Sequence, residues 1–226
     1  MKEYKEFARY YDYFYNDKAY DTDINFLIGV LGSRTTVLDA GCGTGEHIKF
    51  LERNLFEVEG FDLNDEMLEI TRSKVNCPVY QGNILDFQID KKYDAVISMF
   101  GVFNYLKSYK EFEQAMLNLL SLIKDGGILV IDLHNGRQDG IKYDEHNGDL
   151  RTMEWTFDKK TFTEKTKITY RIDGNIYETG HDFLIYEIEK IEPILKKYKL
   201  KYNFFENYSM NEASEFSKNI ELVIYL

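Results

Sequence analysis

Residues 37–46 read VLDAGCGTGE, an apolar run that passes directly into a cluster of glycines. The apolar run from Thr35 to Ala40 predicts a short buried strand, and the apolar spacing between Glu46 and Asn54 predicts a helix after the glycines. Doubly wound α/β sheets bind ligands at such turns, because glycine lets the backbone turn tightly and approach a ligand closely. A plain glycine-rich turn explains a single G-x-G equally well, so the surrounding sequence has to decide.

Strand-like and helix-like segments alternate on the carboxyl side of this turn. Strands are predicted at residues 35–40, 56–62, 78–81, 93–100 and 128–133, with two final strands at residues 202–208 and 220–226. The clearest intervening helix spans residues 108–123, where apolar residues recur at helical spacing. Strands that alternate with helices form a parallel sheet covered on both faces, so the predicted fold class is α/β.

Residues 134–186 have a different texture. They lack a strong helical period, and Asp173-Gly174-Asn175 between alternating segments predicts a β-hairpin. We therefore expect a small antiparallel β insert at residues 134–186, after the fifth strand, that acts as a lid. Residues 1–226 as a whole are expected to form a single domain.

Charge and cysteine content exclude several classes of partner. The chain has 28 basic and 39 acidic residues, a net charge of −11, and such a field disfavours binding of a nucleic acid backbone. Two cysteines cannot build a disulfide framework or a zinc cluster, and no metal site is predicted. Neither an apolar signal region nor a bilayer-length apolar stretch occurs, so we expect a cytoplasmic protein without a membrane partner.

A carboxylate at the end of the second predicted strand narrows the ligand class. Asp62 follows Gly41 at the distance where an acid accepts hydrogen bonds from ribose hydroxyls. A dinucleotide site prefers G-x-G-x-x-G, whereas Glu46 occupies the third glycine position here and would repel a pyrophosphate. The pattern favours a nucleoside ligand without phosphate. A nicotinamide-dependent oxidoreductase and a non-catalytic binding module remain the alternatives.

The glycine motif resembles the first motif of the class I S-adenosylmethionine-dependent methyltransferases. The likeness continues in order through GFDLNDEML (60–68), QGNILDF (81–87), YDAVISMFGVFNYL (93–106) and DGGILVIDL (125–133). This resemblance implies a Rossmann-like sheet of seven strands with the last strand antiparallel. It also implies S-adenosyl-L-methionine as cofactor and S-adenosyl-L-homocysteine as product.

The resemblance also implies roles for matching positions of this chain. Gly41 and Gly43 would border the methionine and ribose parts of the cofactor. Asp39 would order the glycine loop and reach the cofactor's amino group, and Asp62 would hold the ribose hydroxyls. The other expected cofactor-binding residues are Tyr11, Tyr20, Cys42, Leu63, Met67, Asn83, Ile84 and Met99.

The methyl acceptor should lie near the segments that follow the fourth and fifth strands. Tyr105 and His134 are the expected catalytic residues. The alternative for Tyr105 is packing under the next helix, and the alternative for His134 is capping of a strand end. The expected substrate-binding residues are Tyr15, Asn104, Trp155 and His181. Tyr11, Tyr15 and Tyr20 of the predicted N-terminal helix would together form an aromatic surface over the cofactor. Such a surface suits the positively charged sulfur of the cofactor, because aromatic faces attract cations.

The opening FARYYDYFYNDKAYDTDINFL (7–27) and the β-rich insert resemble small-molecule N-methyltransferases. These include enzymes that dimethylate amino sugars and enzymes of the glycine/sarcosine type. The resemblance implies methyl transfer to a small-molecule amine, with O-methylation of a small molecule as the alternative. An exposed antiparallel edge in the insert could support a homodimer.

Overall fold

The structure is a computed structural model that describes residue 8, residues 10–14 and residues 20–226. Its strands are β1 (Thr36–Ala40), β2 (Glu57–Asp62), β3 (Val79–Gln81), β4 (Tyr93–Ser98), β5 (Ile123–His134), β6 (Gly140–His146), β7 (Asp149–Asp158), β8 (Thr163–Ile172), β9 (Asn175–Leu184), β10 (Lys201–Glu206) and β11 (Asn219–Tyr225). Its helices are α1 (Asp21–Leu31), α2 (Glu46–Arg53), α3 (Asp65–Lys74), α4 (Tyr109–Ser121) and α5 (Ile188–Lys197), with a 3-10 helix at Val102–Tyr105. Residues 8 and 10–14 are helical as well.

Seven strands form one sheet in the order β10-β11-β5-β4-β1-β2-β3. β1 pairs in parallel with β2 and β4, and β4 pairs in parallel with β5. β11 runs antiparallel to both of its neighbours, β5 and β10. The expected Rossmann-like sheet with an antiparallel last strand is confirmed.

Alternate residues of the central strands enter two separate cores. Leu38 packs in the core beneath α4 and α5, whereas its neighbour Val37 packs in the core beneath α1, α2 and α3. Side chains of a strand alternate between the faces of its sheet, so a strand covered by helices on both sides must be apolar throughout. This burial explains why the strands were legible in the sequence as continuous apolar runs.

β5 begins earlier than expected, at Ile123 rather than at residue 128. The helix predicted at residues 108–123 ends at Ser121, and Asp125-Gly126-Gly127 lies within β5. A side chain at Gly127 would place its Cβ 2.6 Å from the carbonyl oxygen of Asp94. The glycine therefore serves close contact between β5 and β4 rather than helix termination.

Strands β6 to β9 form a second, antiparallel sheet in the order β6-β7-β8-β9. The β8–β9 turn is the predicted hairpin, with positive φ at both Asp173 and Gly174, as a type I′ turn requires. Strand β6 was not predicted. Its turn to β7 is Asn147-Gly148, again with two positive φ angles, and this Asn-Gly pair is the signal that would have revealed it.

The N-terminal helical residues are packed between α3 and the inner face of the second sheet. This small core contains Phe14, Met67 of α3 and Tyr170 of β8. Tyr13 adds polar contacts, because its hydroxyl donates to the Asp149 carboxylate at 2.9 Å. None of the helices in the described ranges is long and apolar enough to cross a membrane.

Candidate active site

The glycine loop between β1 and α2 depends on backbone angles that favour glycine. Gly41, Gly43 and Gly45 have φ angles of 84°, 54° and 81°. The N–H groups of Gly41 and Cys42 both donate to the carbonyl oxygen of Phe61, at 2.8 and 3.0 Å. A Cβ at Gly41 would lie 2.6 Å from Val102, whereas a Cβ at Gly43 would meet no atom within 4 Å. The loop is thus fixed to β2 while Gly43 keeps open space beside it.

Asp62 joins this loop to the second strand. One carboxylate oxygen accepts from the Gly43 N–H at 2.8 Å, and the other accepts from the Asn64 N–H at 2.8 Å. Burial is the largest influence on this carboxyl and raises its pKa. A carboxylate oxygen can accept more than one hydrogen bond, so these contacts leave acceptor capacity for ribose hydroxyls.

Asp39 is buried directly before the glycine loop. Its Oδ2 has no hydrogen-bond partner among the residues that the structure describes. Burial raises the pKa of Asp39 to about 6, with His47 opposing the rise and Asp62 adding to it. A buried polar atom without a partner is costly, and a charged amino group of a ligand would satisfy this oxygen. The residue therefore fits the amino group of S-adenosylmethionine.

The expected adenine-side residues occupy different environments. Leu63 is 65% exposed, whereas Met67 and Ile84 are buried. The Asn83 side-chain oxygen accepts from the Leu85 N–H at 3.0 Å, which orders the turn after β3. Leu63 therefore offers apolar surface to a base, and Asn83 shapes the opposite edge.

Three other expected cofactor contacts are largely packed into the protein. Cys42 is buried next to Gly60, and burial raises the pKa of its thiol. Tyr20 stacks on Phe50 at a ring distance of 5.6 Å, and Met99 is buried at the end of β4. In the structure these side chains shape the core around the loop.

The N-terminal helical residues reach the edge where β1 and β4 end. The Thr44 hydroxyl of the glycine loop donates to Asp12 at 2.7 Å, and Asp12 also forms an ion pair with Lys74. Tyr11 contacts Phe100 edge to face at 6.4 Å. Tyr15, an expected substrate-binding residue, lies outside the described residues.

Tyr105 and His181 meet on the acceptor side. The Tyr105 hydroxyl lies 3.0 Å from the His181 Nδ1, and Tyr105 is 41% exposed. Burial lowers the pKa of His181, with a small opposing effect of Asp182. A neutral His181 accepts the hydroxyl hydrogen bond at Nδ1, so the structure brings together two residues that were expected separately.

His134 is paired with a carboxylate that the sequence did not indicate. Its Nε2 lies 3.0 Å from Oε2 of Glu164, which is buried on the inner face of β8. The other Glu164 oxygen accepts from the Thr166 hydroxyl at 3.1 Å. Nothing in the local sequence marks Glu164, because strand alternation alone does not say which part of the larger sheet it will face.

Asn104 is fully buried, and its amide is used by backbone groups. Its nitrogen donates to the carbonyl oxygens of His134 and Leu184, and its oxygen accepts from the His134 N–H. The residue thus links the fifth strand to the end of the insert. This geometry favours a positioning role over the expected substrate contact.

Trp155 lies on β7 opposite Thr166 of β8. It packs closely against Gly140, where an added Cβ would lie 2.3 Å from the indole. The structure places it on the inner face of the insert without a described hydrogen bond to Tyr105, His134 or Glu164.

A buried acidic group beneath this region was also missed. Glu221 of β11 lies opposite Asp132 of β5, and Tyr208 bonds to both carboxylates. Burial raises the pKa of Glu221 to about 8, and Asp132 adds to the rise. Each acid sits in an apolar strand, so the sequence showed only isolated charges rather than a pair. No group of three or more metal-ligating side chains in the described ranges could hold a metal ion.

Comparison with known proteins identifies the central part of this fold. Residues 37–127, which carry the glycine loop and strands β1 to β4, match the family model described as a methyltransferase domain. This part of the chain is therefore similar to a methyltransferase domain. The match spans the glycine motif and the segments at 60–68, 81–87 and 93–106, so the resemblance inferred from these segments is confirmed.

Several relatives of this chain have names that state an activity. A dTDP-3-amino-3,4,6-trideoxy-alpha-D-glucopyranose N,N-dimethyltransferase of Streptomyces venezuelae is 30% identical over 132 residues, which is 55% of this chain and 56% of that protein. The chain thus matches little more than half the length of this curated relative. An uncharacterized protein of Methanocaldococcus jannaschii is 28% identical over 221 residues, 94% of this chain and 81% of that protein.

The fold extends the likeness beyond the matched domain. A crystal structure of an S-adenosylmethionine-dependent methyltransferase from Clostridium acetobutylicum superposes with a TM-score of 0.84 at 20% identity, covering 99% of this chain and 98% of that chain. At this identity the likeness shows the fold alone. The seven-stranded sheet with its separate antiparallel sheet is therefore a fold that this chain shares with a solved methyltransferase.

Proposed function

We propose that this chain transfers the methyl group of S-adenosyl-L-methionine to an amine of a small molecule. The buried Asp39 oxygen without a hydrogen-bond partner carries the proposal, because it lies beside a glycine loop shaped for close approach of a ligand. The methyltransferase domain match and the N,N-dimethyltransferase among the relatives support it. Binding of S-adenosyl-L-homocysteine as product follows.

The cofactor roles are assigned by the chemistry of each residue. Asp39 accepts from the amino group, Asp62 accepts from the ribose hydroxyls, and Leu63 packs against the base. When bound, S-adenosylmethionine supplies a methyl group activated by a positively charged sulfur. The protein holds the acceptor in line with this group and excludes water.

The acceptor side favours an amine. Tyr105, His181 and Phe183 form an aromatic wall, with ring centroids 4.8 to 5.7 Å apart. Aromatic faces stabilise the positive charge of a methylated amine. The insert at 134–186 would act as the lid within one domain, with Tyr15 and Trp155 as further substrate contacts.

His134 is also the observation that favours a second candidate. A hydroxyl acceptor would also lose its proton to a base, and His134 beside Glu164 would serve as that base for either acceptor. O-methylation of a small molecule is therefore the alternative function. An acceptor panel of small amines and alcohols separates the two by the product formed.

The same proposal includes a cytoplasmic location and a homodimer formed through the insert. β6 is an edge strand of its sheet, and Tyr143 on it is strongly exposed. Unpaired edge strands can pair with a second chain. Sedimentation velocity of the wild type and of Tyr143→Pro tests the dimer. The wild type should sediment as a dimer and the variant as a monomer, and a monomeric wild type would contradict the dimer.

Cofactor titration tests the central proposal. We expect S-adenosylhomocysteine to bind in calorimetry and a nicotinamide dinucleotide not to bind. Asp62→Ala should weaken binding by about 1–3 kcal/mol, the scale of hydrogen bonds to a charged group. Asp65→Ala is the matched control, because Asp65 is exposed three positions later and pairs with Arg72. Equal affinity of the Asp62 variant and wild type would contradict the ribose assignment.

A further inference from the structure

Three titratable rings and a buried carboxylate meet where the insert rejoins the larger sheet. Phe183 of β9 is their common neighbour, with ring centroids 4.8 Å from Tyr105, 5.7 Å from His181 and 5.9 Å from His134. Phe183 is paired in register with Glu164 of β8. One hairpin therefore carries both the carboxylate and the centre of the ring cluster to the same place.

The contact between His134 and Glu164 is asymmetric in exposure. The His134 side chain is 39% exposed, whereas that of Glu164 is 4% exposed. A carboxylate at Nε2 favours the tautomer that carries its proton on that nitrogen, so the lone pair lies on Nδ1. The exposed ring can then receive a proton while the buried acid stabilises the resulting charge.

The surrounding backbone is built closely around this pair. A Cβ at Gly136 would lie 2.3 Å from the Glu164 Oε2 and 2.6 Å from the His134 Nε2. Any side chain at position 136 would therefore collide with the two atoms that form the contact. Both backbone groups of His134 are bonded to the buried Asn104 amide. A Cβ at Gly101, in the turn after β4, would lie 3.5 Å from the His134 Cβ. The imidazole is thus held at the edge where β4 and β5 end.

The other titratable groups around His134 have partners of their own. From the 3-10 helix and β9, Tyr105 and His181 bond to each other at 3.0 Å. On β5 itself, the Asp132 Oδ2 accepts from the Phe100 N–H and the Tyr208 hydroxyl, at 2.8 Å each. From β11, the register neighbour of His134 is the uncharged Asn219. Glu164 is therefore the acid in direct contact with the imidazole.

We propose that Glu164 is a positioning residue that makes His134 the acceptor of the proton lost by the amine during methyl transfer. This inference rests on the proposed function. In the step, the nitrogen lone pair forms the new C–N bond while the C–S bond breaks and leaves its electron pair on sulfur. The N–H proton passes to His134 Nδ1, and the Glu164 carboxylate stabilises the imidazolium. A second methylation of the same nitrogen would repeat the proton transfer.

The variant Glu164→Gln keeps the shape of the side chain but removes its charge. Its matched control is Glu154→Gln, on the exposed face of the adjacent strand β7. We expect Glu164→Gln to lower kcat by about tenfold or more, because the imidazole loses the carboxylate that fixes its tautomer and balances its charge during proton transfer. The Kd for S-adenosylhomocysteine should stay within twofold of wild type, and Glu154→Gln should match wild type throughout.

A spectroscopic measurement separates this inference from the proposed function. In nitrogen NMR at neutral pH, wild-type His134 should show the tautomer protonated at Nε2, and Glu164→Gln should show a mixture of tautomers. A wild-type Nδ1-protonated tautomer overturns the inference, as does an unchanged kcat in Glu164→Gln. Absence of S-adenosylhomocysteine binding by the wild type would instead remove the proposed function.

Discussion

The two sides of the crevice are built from different kinds of contact. On the cofactor side, the Asp62 carboxylate accepts from backbone N–H groups, one of them only 19 residues away at Gly43. On the acceptor side, side chains bond to side chains across longer stretches, as in the contact between Tyr105 and His181, 76 residues apart. Backbone contacts demand particular φ angles, whereas side-chain contacts demand that two distant segments be packed correctly.

Substitutions on the two sides should therefore have different effects. Changes on the cofactor side should reduce affinity for S-adenosylhomocysteine, because they distort the loop that contacts it. Changes on the acceptor side should reduce turnover and leave that affinity intact. An acceptor-side variant that loses affinity for S-adenosylhomocysteine would show that the two sides are not independent.

The largest effect is expected from Gly41→Ala. The residue has φ of 84°, and its new Cβ would lie 2.6 Å from Val102. Left-handed backbone strain and overpacking cost about 1–3 kcal/mol each, so we expect S-adenosylhomocysteine binding to fall by more than about 100-fold. Isothermal calorimetry measures this loss.

Gly29→Ala provides the matched control. Gly29 lies in α1, where a Cβ would meet no atom within 4 Å. Alanine in a helix interior stabilises by up to about 1 kcal/mol relative to glycine, so binding should be unchanged and thermal stability equal or higher. Wild-type affinity of Gly41→Ala for S-adenosylhomocysteine would show that the loop tolerates a side chain. It would also contradict the expectation that changes on the cofactor side reduce this affinity.

The same division explains how far the sequence predicted the molecule. The parallel strands, Asp62 and the glycine loop were predictable, because local patterns determine buried strands and positive φ angles. Glu164 and Glu221 were not, since their significance depends on which distant strand each one faces. Asn104 was placed in the right region with a different role, because sequence position does not show that its amide would be used by His134 and Leu184.

A smaller effect should come from the scaffold beneath the acceptor side. The pKa of Glu221 is raised to about 8 from an ordinary value of 4.5, so the folded protein holds a proton that the unfolded chain releases. The free energy of unfolding should therefore fall as pH rises from about 4.5 to 8, and then level off. Glu221→Gln should remove the part of this decline that Glu221 causes, leaving the smaller part contributed by Asp39, whose pKa is raised to about 6.

Urea unfolding at pH 5 and pH 9 measures this linkage. The exposed Glu212, on the loop between β10 and β11, gives the control Glu212→Gln, which should keep the wild-type pH dependence. A wild-type stability that rises between pH 5 and pH 9 contradicts a proton on Glu221.

The smallest effect is expected from Tyr105→Phe, which tests the acceptor side by removing a single hydroxyl. The ring should keep its contact with Phe183, so only the hydrogen bond to His181 is lost, a change of about 1 kcal/mol. We expect kcat to fall by about fivefold with unchanged S-adenosylhomocysteine affinity, and the exposed Tyr143→Phe to match wild type. If the two residues act through one hydrogen bond, His181→Asn in the Tyr105→Phe background should add little to that loss. Additive losses would mean that Tyr105 and His181 contribute to turnover separately, and the acceptor side would then consist of independent contacts rather than one bonded cluster.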